Sequence, residues 1–163
     1  MKQHISSVSR TCYFQLRRIA TIRKYLTTDA TAKLVTSTVL SRLDYCNSLL
    51  AGLPSSSISR LQRIQNSSAR LVLRKKKRDH ITPLLNQLHW LPVPARITYK
   101  INTLTYKCLH GLAPAYLSDS LSLYVPSRTL RSSADSLKLN IPHTKLKTAD
   151  QRSLSHLRKS DSM

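Results

Sequence analysis

The densest chemistry in this 163-residue chain is cationic. Arg60, Arg63, Arg70 and Arg74 recur through the stretch Ile58 to Arg78, which then runs into Lys75, Lys76, Lys77 and Arg78. At about 100° per residue those arginines gather on one side of a helix, while Ile58, Leu61, Ile64, Ser68, Leu71 and Val72 fall on the other. Such a helix buries one side and presents cations on the other. The four consecutive cations that follow repel one another unless an anion lies alongside them. The chemistry this pattern supports is noncovalent contact with a polyanion; the plain alternative is a solvated helix face with a basic loop after it.

Other constellations are weaker. The seven Asp residues lie at 29, 44, 79, 119, 135, 150 and 161, never adjacent, and Glu is absent. A two-metal polymerase or nuclease needs several carboxylates converging on ions about 4 Å apart, and no spacing here suggests it. His80, His89, Cys108 and His110 match no compact ligand pattern, so no metal site is expected. There is no G-x-S-x-G nucleophile elbow, and two glycines in the whole chain leave nothing for a phosphate-cradling loop. No catalytic residue and no cofactor or small-molecule substrate is therefore expected.

Composition supports the polyanion reading. Lys and Arg number 27 against seven Asp, giving a net charge of +20, and 16 of the 27 precede residue 79. Such a balance destabilises a compact monomer and favours polyanionic partners. No run of about 18 apolar residues occurs, and the N-terminus lacks the apolar centre of a signal peptide. An intracellular protein of nucleus or cytoplasm, without membrane attachment, is expected. Cys12, Cys46 and Cys108 are odd in number and far apart, and each fits an apolar helix face, so three buried thiols are expected.

The elements that must position the cations are helices. Residues 9 to 26 have the period of a first helix, with Cys12, Leu16, Ile19, Ala20 and Leu26 inward and Arg10, Arg17, Arg18, Arg23 and Lys24 mostly outward. Thr27 or Thr28 can cap a second, from 29 to 50, whose stripe is Ala32, Val35, Val39, Leu43, Cys46 and Leu50. Gly52 and Pro54 end it, and one of Ser55, Ser56 and Ser57 is expected to cap the basic helix, packed antiparallel to the second. Thr82 and Pro83 open a short helix to Leu88, and the prolines of HWLPVP (89 to 94) set Trp90 at a bend that seals the core. A fifth helix from Pro94 buries Ile97, Ile101, Leu104 and Cys108 and closes at Gly111, and Pro114 starts one more turn. The fold class is all-α: a small bundle of about five helices over residues 1 to 124, with a disordered basic tail from 125 to 163. Tyr13, Trp90, Tyr99 and Tyr106 offer rings for base stacking, but at helical spacing such aromatics are expected in the core.

Five segments taken together carry a family likeness. SRLDYCNSLLAGLP (41 to 54), LQRIQNSSARLVLR (61 to 74), DHITPLLNQLHWLPVPARITYKI (79 to 101), YKCLHGLAPAYLSD (106 to 119) and YVPSRTLRSS (124 to 133) stand in this order. They resemble the region C-terminal to the polymerase core in LINE-type, jockey-like non-LTR retrotransposon reverse transcriptases, over roughly residues 15 to 148. The resemblance implies a thumb-like helical region that, within a polyprotein, contacts RNA template and DNA primer. The family's aromatic-Ala-Asp-Asp turn, which binds the catalytic metals, has no counterpart here, nor has its endonuclease. After residue 148 the chain departs from the family pattern, as a frameshifted copy would.

Together these expectations describe a reverse transcriptase fragment that is not itself an enzyme and binds RNA or DNA phosphates through Arg60, Arg63, Arg70, Arg74, Lys75, Lys76, Lys77 and Arg78. The remainder of such a polyprotein is its other expected partner. The rival expectations are a decayed reading frame without function and a small helical protein-interaction module.

Overall fold

The computed structural model describes residues 1–124 together with Leu139 and Asn140. These residues are helical, as expected, with one isolated antiparallel bridge between Leu123 and Leu139. Two compact units divide the chain, one from Met1 to Ile97 and one beginning at Thr98. The expectation of a disordered tail falls almost wholly on residues outside those described.

In the first unit α1 (Lys2–Ile22) continues into a 3₁₀ turn, Arg23–Tyr25. Ile5, Cys12, Leu16 and Ile19 form its buried stripe, so the apolar period begins a full turn before residue 9. Chain reversal follows at Leu26 and Thr27. The Thr27 hydroxyl accepts from the Ala30 backbone N–H at 3.2 Å and so caps α2 (Thr28–Val35), as its residue type predicts.

The second helix is not the unbroken rod its period suggests. After α2 comes a π-helical turn, Thr36–Leu40, then α3 (Ser41–Asp44) and a separate 3₁₀ turn, Asn47–Leu50. The cause is local: Ser37 and Thr38 both donate their hydroxyls to the Leu34 carbonyl, at 3.0 and 2.7 Å, and compete with the ladder there. The wider turn buries Val39 and Leu40 side by side and moves the stripe out of phase. Cys46 consequently leaves the core and becomes an exposed residue at φ +53°, and Asn47 takes the buried position. The expectation of three buried thiols therefore holds only for Cys12; Cys108 is half-buried.

Helix α4 (Ser55–Leu73) is the basic helix, and α1, α2 and α5 pack against it. No serine side chain caps it, because the N-cap position is Pro54, whose ring carries no hydrogen-bond acceptor, and Ser55 is already the first helical residue. Leu61, Ile64, Gln65, Ser68, Ala69 and Val72 are buried, a stripe about one residue wider than the apolar pattern alone. Fully burying a side chain such as Leu61 or Ile64 contributes about 1.5–3 kcal/mol, and truncating either to Ala costs about 2–5 kcal/mol.

Helix α5 (Ile81–Gln87) begins two residues before the expected first residue Pro83, with His80 rather than Thr82 at its N-cap and no side-chain cap bond. It ends at His89, in left-handed conformation at φ +54°, and the Trp90 N–H returns to the Leu85 carbonyl at 2.9 Å. Trp90 is half-buried against the cluster of Ala69, Leu84 and Leu85, so it covers the core edge rather than filling its centre.

The boundary between the units falls inside α6 (Val93–Leu109). In the second unit α6 ends at Gly111, whose φ of +66° suits a residue without Cβ, and the Leu112 N–H closes back on the Lys107 carbonyl at 2.8 Å. Pro114 then precedes the single turn α7 (Ala115–Ser118). Tyr99 and Tyr106 are exposed, as is Tyr13 in the first unit, against the expectation of core rings. Hydroxyl-bearing rings near the rim of thin helices reach water more cheaply than they find a buried partner.

Candidate nucleic-acid interface

The structure separates the eight predicted cations into three environments. Arg60 and Arg63 stand exposed on the first half of α4. Among the described residues Arg60 makes no side-chain hydrogen bond, and Arg63 makes only a long one, from Nε to the Ser59 carbonyl at 3.4 Å. Both border a groove of about 400 Å³ between α1 and α4, whose other walls are Ser6, Ser9 and Tyr13.

Arg70 and Arg74 are committed to the fold. Arg70 is half-buried and donates from Nη2 to the Asp79 carbonyl at 3.2 Å. Arg74 occupies the left-handed position that ends α4, at φ +53°, and its Nη2 donates to the Arg23 carbonyl at 3.1 Å. Each thus spends one donor on a backbone carbonyl beyond the helix, although Arg74 remains exposed and the buried Arg70 Nε has no partner among the described residues.

Lys75, Lys76, Lys77 and Arg78 are all exposed. They form a turn that Asp79 closes, its carboxylate accepting from the Lys76 backbone N–H at 2.7 Å and its own N–H donating to the Lys76 carbonyl at 3.1 Å. From Arg60 to Arg74 the helix rises about 21 Å, so the groove arginines and the basic turn mark opposite ends of one element.

Two residues that position this interface are unmarked in the sequence pattern. Arg23, expected on the outer face of the first helix, is buried. Its Nε and Nη2 donate to the carbonyls of Leu71 and Val72 at 3.0 and 2.6 Å, and its Nη1 to Leu26 at 2.7 Å. The last carbonyls of α4 lack partners within the helix, and the guanidinium supplies them with favourable charge as well. Burial, and then the neighbouring Arg74 cation, lower the Arg23 pKa from its ordinary value, and a guanidinium so lowered still keeps its proton.

Gln65 is the other. Fully buried, it donates from Nε2 to the Leu91 carbonyl at 2.8 Å, while Gln62 accepts from the Val93 N–H at 2.8 Å and donates to Gln65 and Asn66. These amides fasten the proline-bounded segment to α4. Arg96 adds a contact to the Asp44 carboxylate at 2.7 and 2.9 Å, holding the end of α3.

No group of three or more metal-ligating side chains occurs among the described residues. Of the four Asp residues described, Asp29 pairs with Lys33 at 2.8 Å, Asp44 with Arg96, and Asp79 with its own turn. Among the described residues no helix is long and apolar enough to cross a membrane. A scan against protein-family models, curated proteins and solved structures found no match to this chain.

Proposed function

We propose that this chain is a helical nucleic-acid-binding region that contacts RNA or DNA through phosphates, in the manner of the thumb-like, post-polymerase part of a LINE-type, jockey-like reverse transcriptase, and carries out no polymerisation itself. One observation carries the reading: Arg70 and Arg74 are each tied to a carbonyl beyond the helix, whereas Arg60 and Arg63 are exposed, make no bond outside α4, and face no acidic group among the described residues of the groove they border. An arginine kept exposed with its donors free is available to phosphate oxygens, to which it donates strongly. The net charge of +20 and the exposed turn Lys75–Arg78 support the same partner. Contact of this kind positions a nucleic acid without reading its sequence.

The test is anisotropy of a labelled single strand, as RNA and as DNA, titrated with the full chain over a range of salt. Log affinity is expected to fall linearly with log salt, by about 0.7 per phosphate neutralised, with little difference between sequences. Binding that is absent at low salt, or that does not respond to salt, overturns the reading.

A further inference from the structure

We propose that the groove between α1 and α4 is a discrete seat for one phosphate group, held by the guanidinium groups of Arg60 and Arg63 and the hydroxyls of Ser9 and Ser6, with Tyr13 at its side. This rests on the reading of the chain as a phosphate binder, and it replaces a diffuse basic surface with one fixed position.

The Ser9 hydroxyl is the independent sign of a ligand. Inside a helix a Ser or Thr hydroxyl commonly donates to the carbonyl four residues back, and Thr11, Ser59, Ser67 and Ser68 do so at 2.7 to 3.1 Å. Ser9 does not: its Oγ is buried and has no partner. A buried hydroxyl ordinarily has a hydrogen-bond partner, and one left over on a residue that lines the same groove as Arg60 and Arg63 matches the remaining oxygen of an anion. Between them Arg60 and Arg63 hold ten N–H donors, of which the structure uses one. Among the described residues none that lines the groove is acidic. The walls are also firm, since α1 and α4 meet there along their buried stripes. On the opposite flank of α1 a similar groove has Arg42 as its only arginine, with His4, Ser7, Thr11 and Tyr45, and no orphan hydroxyl. It offers half the charge.

The phosphate belongs either to the interior of a strand or to a strand end, and the two are told apart experimentally. The full chain is titrated with inorganic phosphate while the arginine Nε–H and the backbone amide resonances are followed. Saturable shifts at Arg60 and Arg63, without matching shifts at Lys75–Arg78, are expected. Ser9→Ala is expected to weaken phosphate about tenfold, the scale of one hydrogen bond to a charged group. Arg63→Lys keeps the charge but loses the fork, and should weaken phosphate similarly while leaving the salt slope for a long strand intact. A 5′-phosphorylated dodecamer that outbinds its 5′-hydroxyl twin, with inorganic phosphate competing only against the former, assigns the seat to strand ends; equal binding and equal competition assign it to an internal diester. Uniform, non-saturating shifts at all cations, or an unchanged phosphate affinity in both variants, overturn the proposal while leaving salt-dependent strand binding in place.

Discussion

The Arg23 Nη2 donates to the Val72 carbonyl at 2.6 Å across 49 positions of sequence, and joins the end of the first helical segment to the end of the basic helix. Arg74, two residues further along, returns the contact by donating to the Arg23 carbonyl. Each segment thus terminates the other.

Removing this buried cation strands the carbonyls of Leu71, Val72 and Leu26. Arg23→Met is expected to cost about 3 kcal/mol or more, since hydrogen bonds to charged groups contribute about 1.5–3 kcal/mol each and leave a desolvated acceptor when lost. Urea unfolding of the variant measures it. A loss under 1 kcal/mol would mean that water serves these carbonyls equally well.

The arginines of α4 should fall into two pairs. Replacing Arg60 and Arg63 with Gln should lower the salt slope of strand binding by about 1.5, at 0.7–0.9 per contact, with stability changed by less than about 0.5 kcal/mol. Replacing Arg70 and Arg74 with Gln should do the reverse, loosening the end of α4 and the Asp79 turn with little change in slope. Paired measurements of slope and unfolding midpoint decide it; equal slopes for both pairs would show that all four reach phosphate.

His89 ends α5 at φ +54°, a conformation that costs an L-residue roughly 1 kcal/mol relative to glycine. Its side chain is exposed. His89→Gly is therefore expected to stabilise the chain by about 0.5–1 kcal/mol, after the greater flexibility of glycine in the unfolded state is deducted. Thermal unfolding gives the answer, and a lowered midpoint would show that the imidazole has a role the geometry does not reveal.

Burial raises the pKa of Cys12, an effect that the Arg42 cation only partly opposes. In the unfolded chain the thiol ionises first, so the folded state gains fully from the protonated thiol below about pH 8.5 and loses that gain as pH climbs toward the folded pKa. Stability should decline through this alkaline window by more than in Cys12→Ala, once the variant's constant packing loss is subtracted. Exposed Cys46 should react with a thiol reagent within mixing, whereas Cys12 should react only as fast as the chain opens.

The sequence by itself determined the class of fold, the helix order and the cationic face of α4, because an apolar period and a left-handed or proline stop are local properties of the chain. Thr27 as a cap and Gly111 as a terminator belong to the same local kind of information. It did not determine where each cation's donors go. Arg23, Arg70 and Arg74 have the same helical phase signal as Arg60 and Arg63, yet only the first three end within reach of a carbonyl outside their own helix: for Arg23 and Arg74 when α4 docks on the end of α1, and for Arg70 when the Asp79 turn folds back. The break before Cys46 is local in origin, two hydroxyls drawing on one carbonyl, but the apolar period does not register it. The groove exists only where two helices lie side by side, its lining residues on one 47 or more positions in sequence from those on the other, so tertiary structure alone decided that Arg60 and Arg63 share a wall with Ser9.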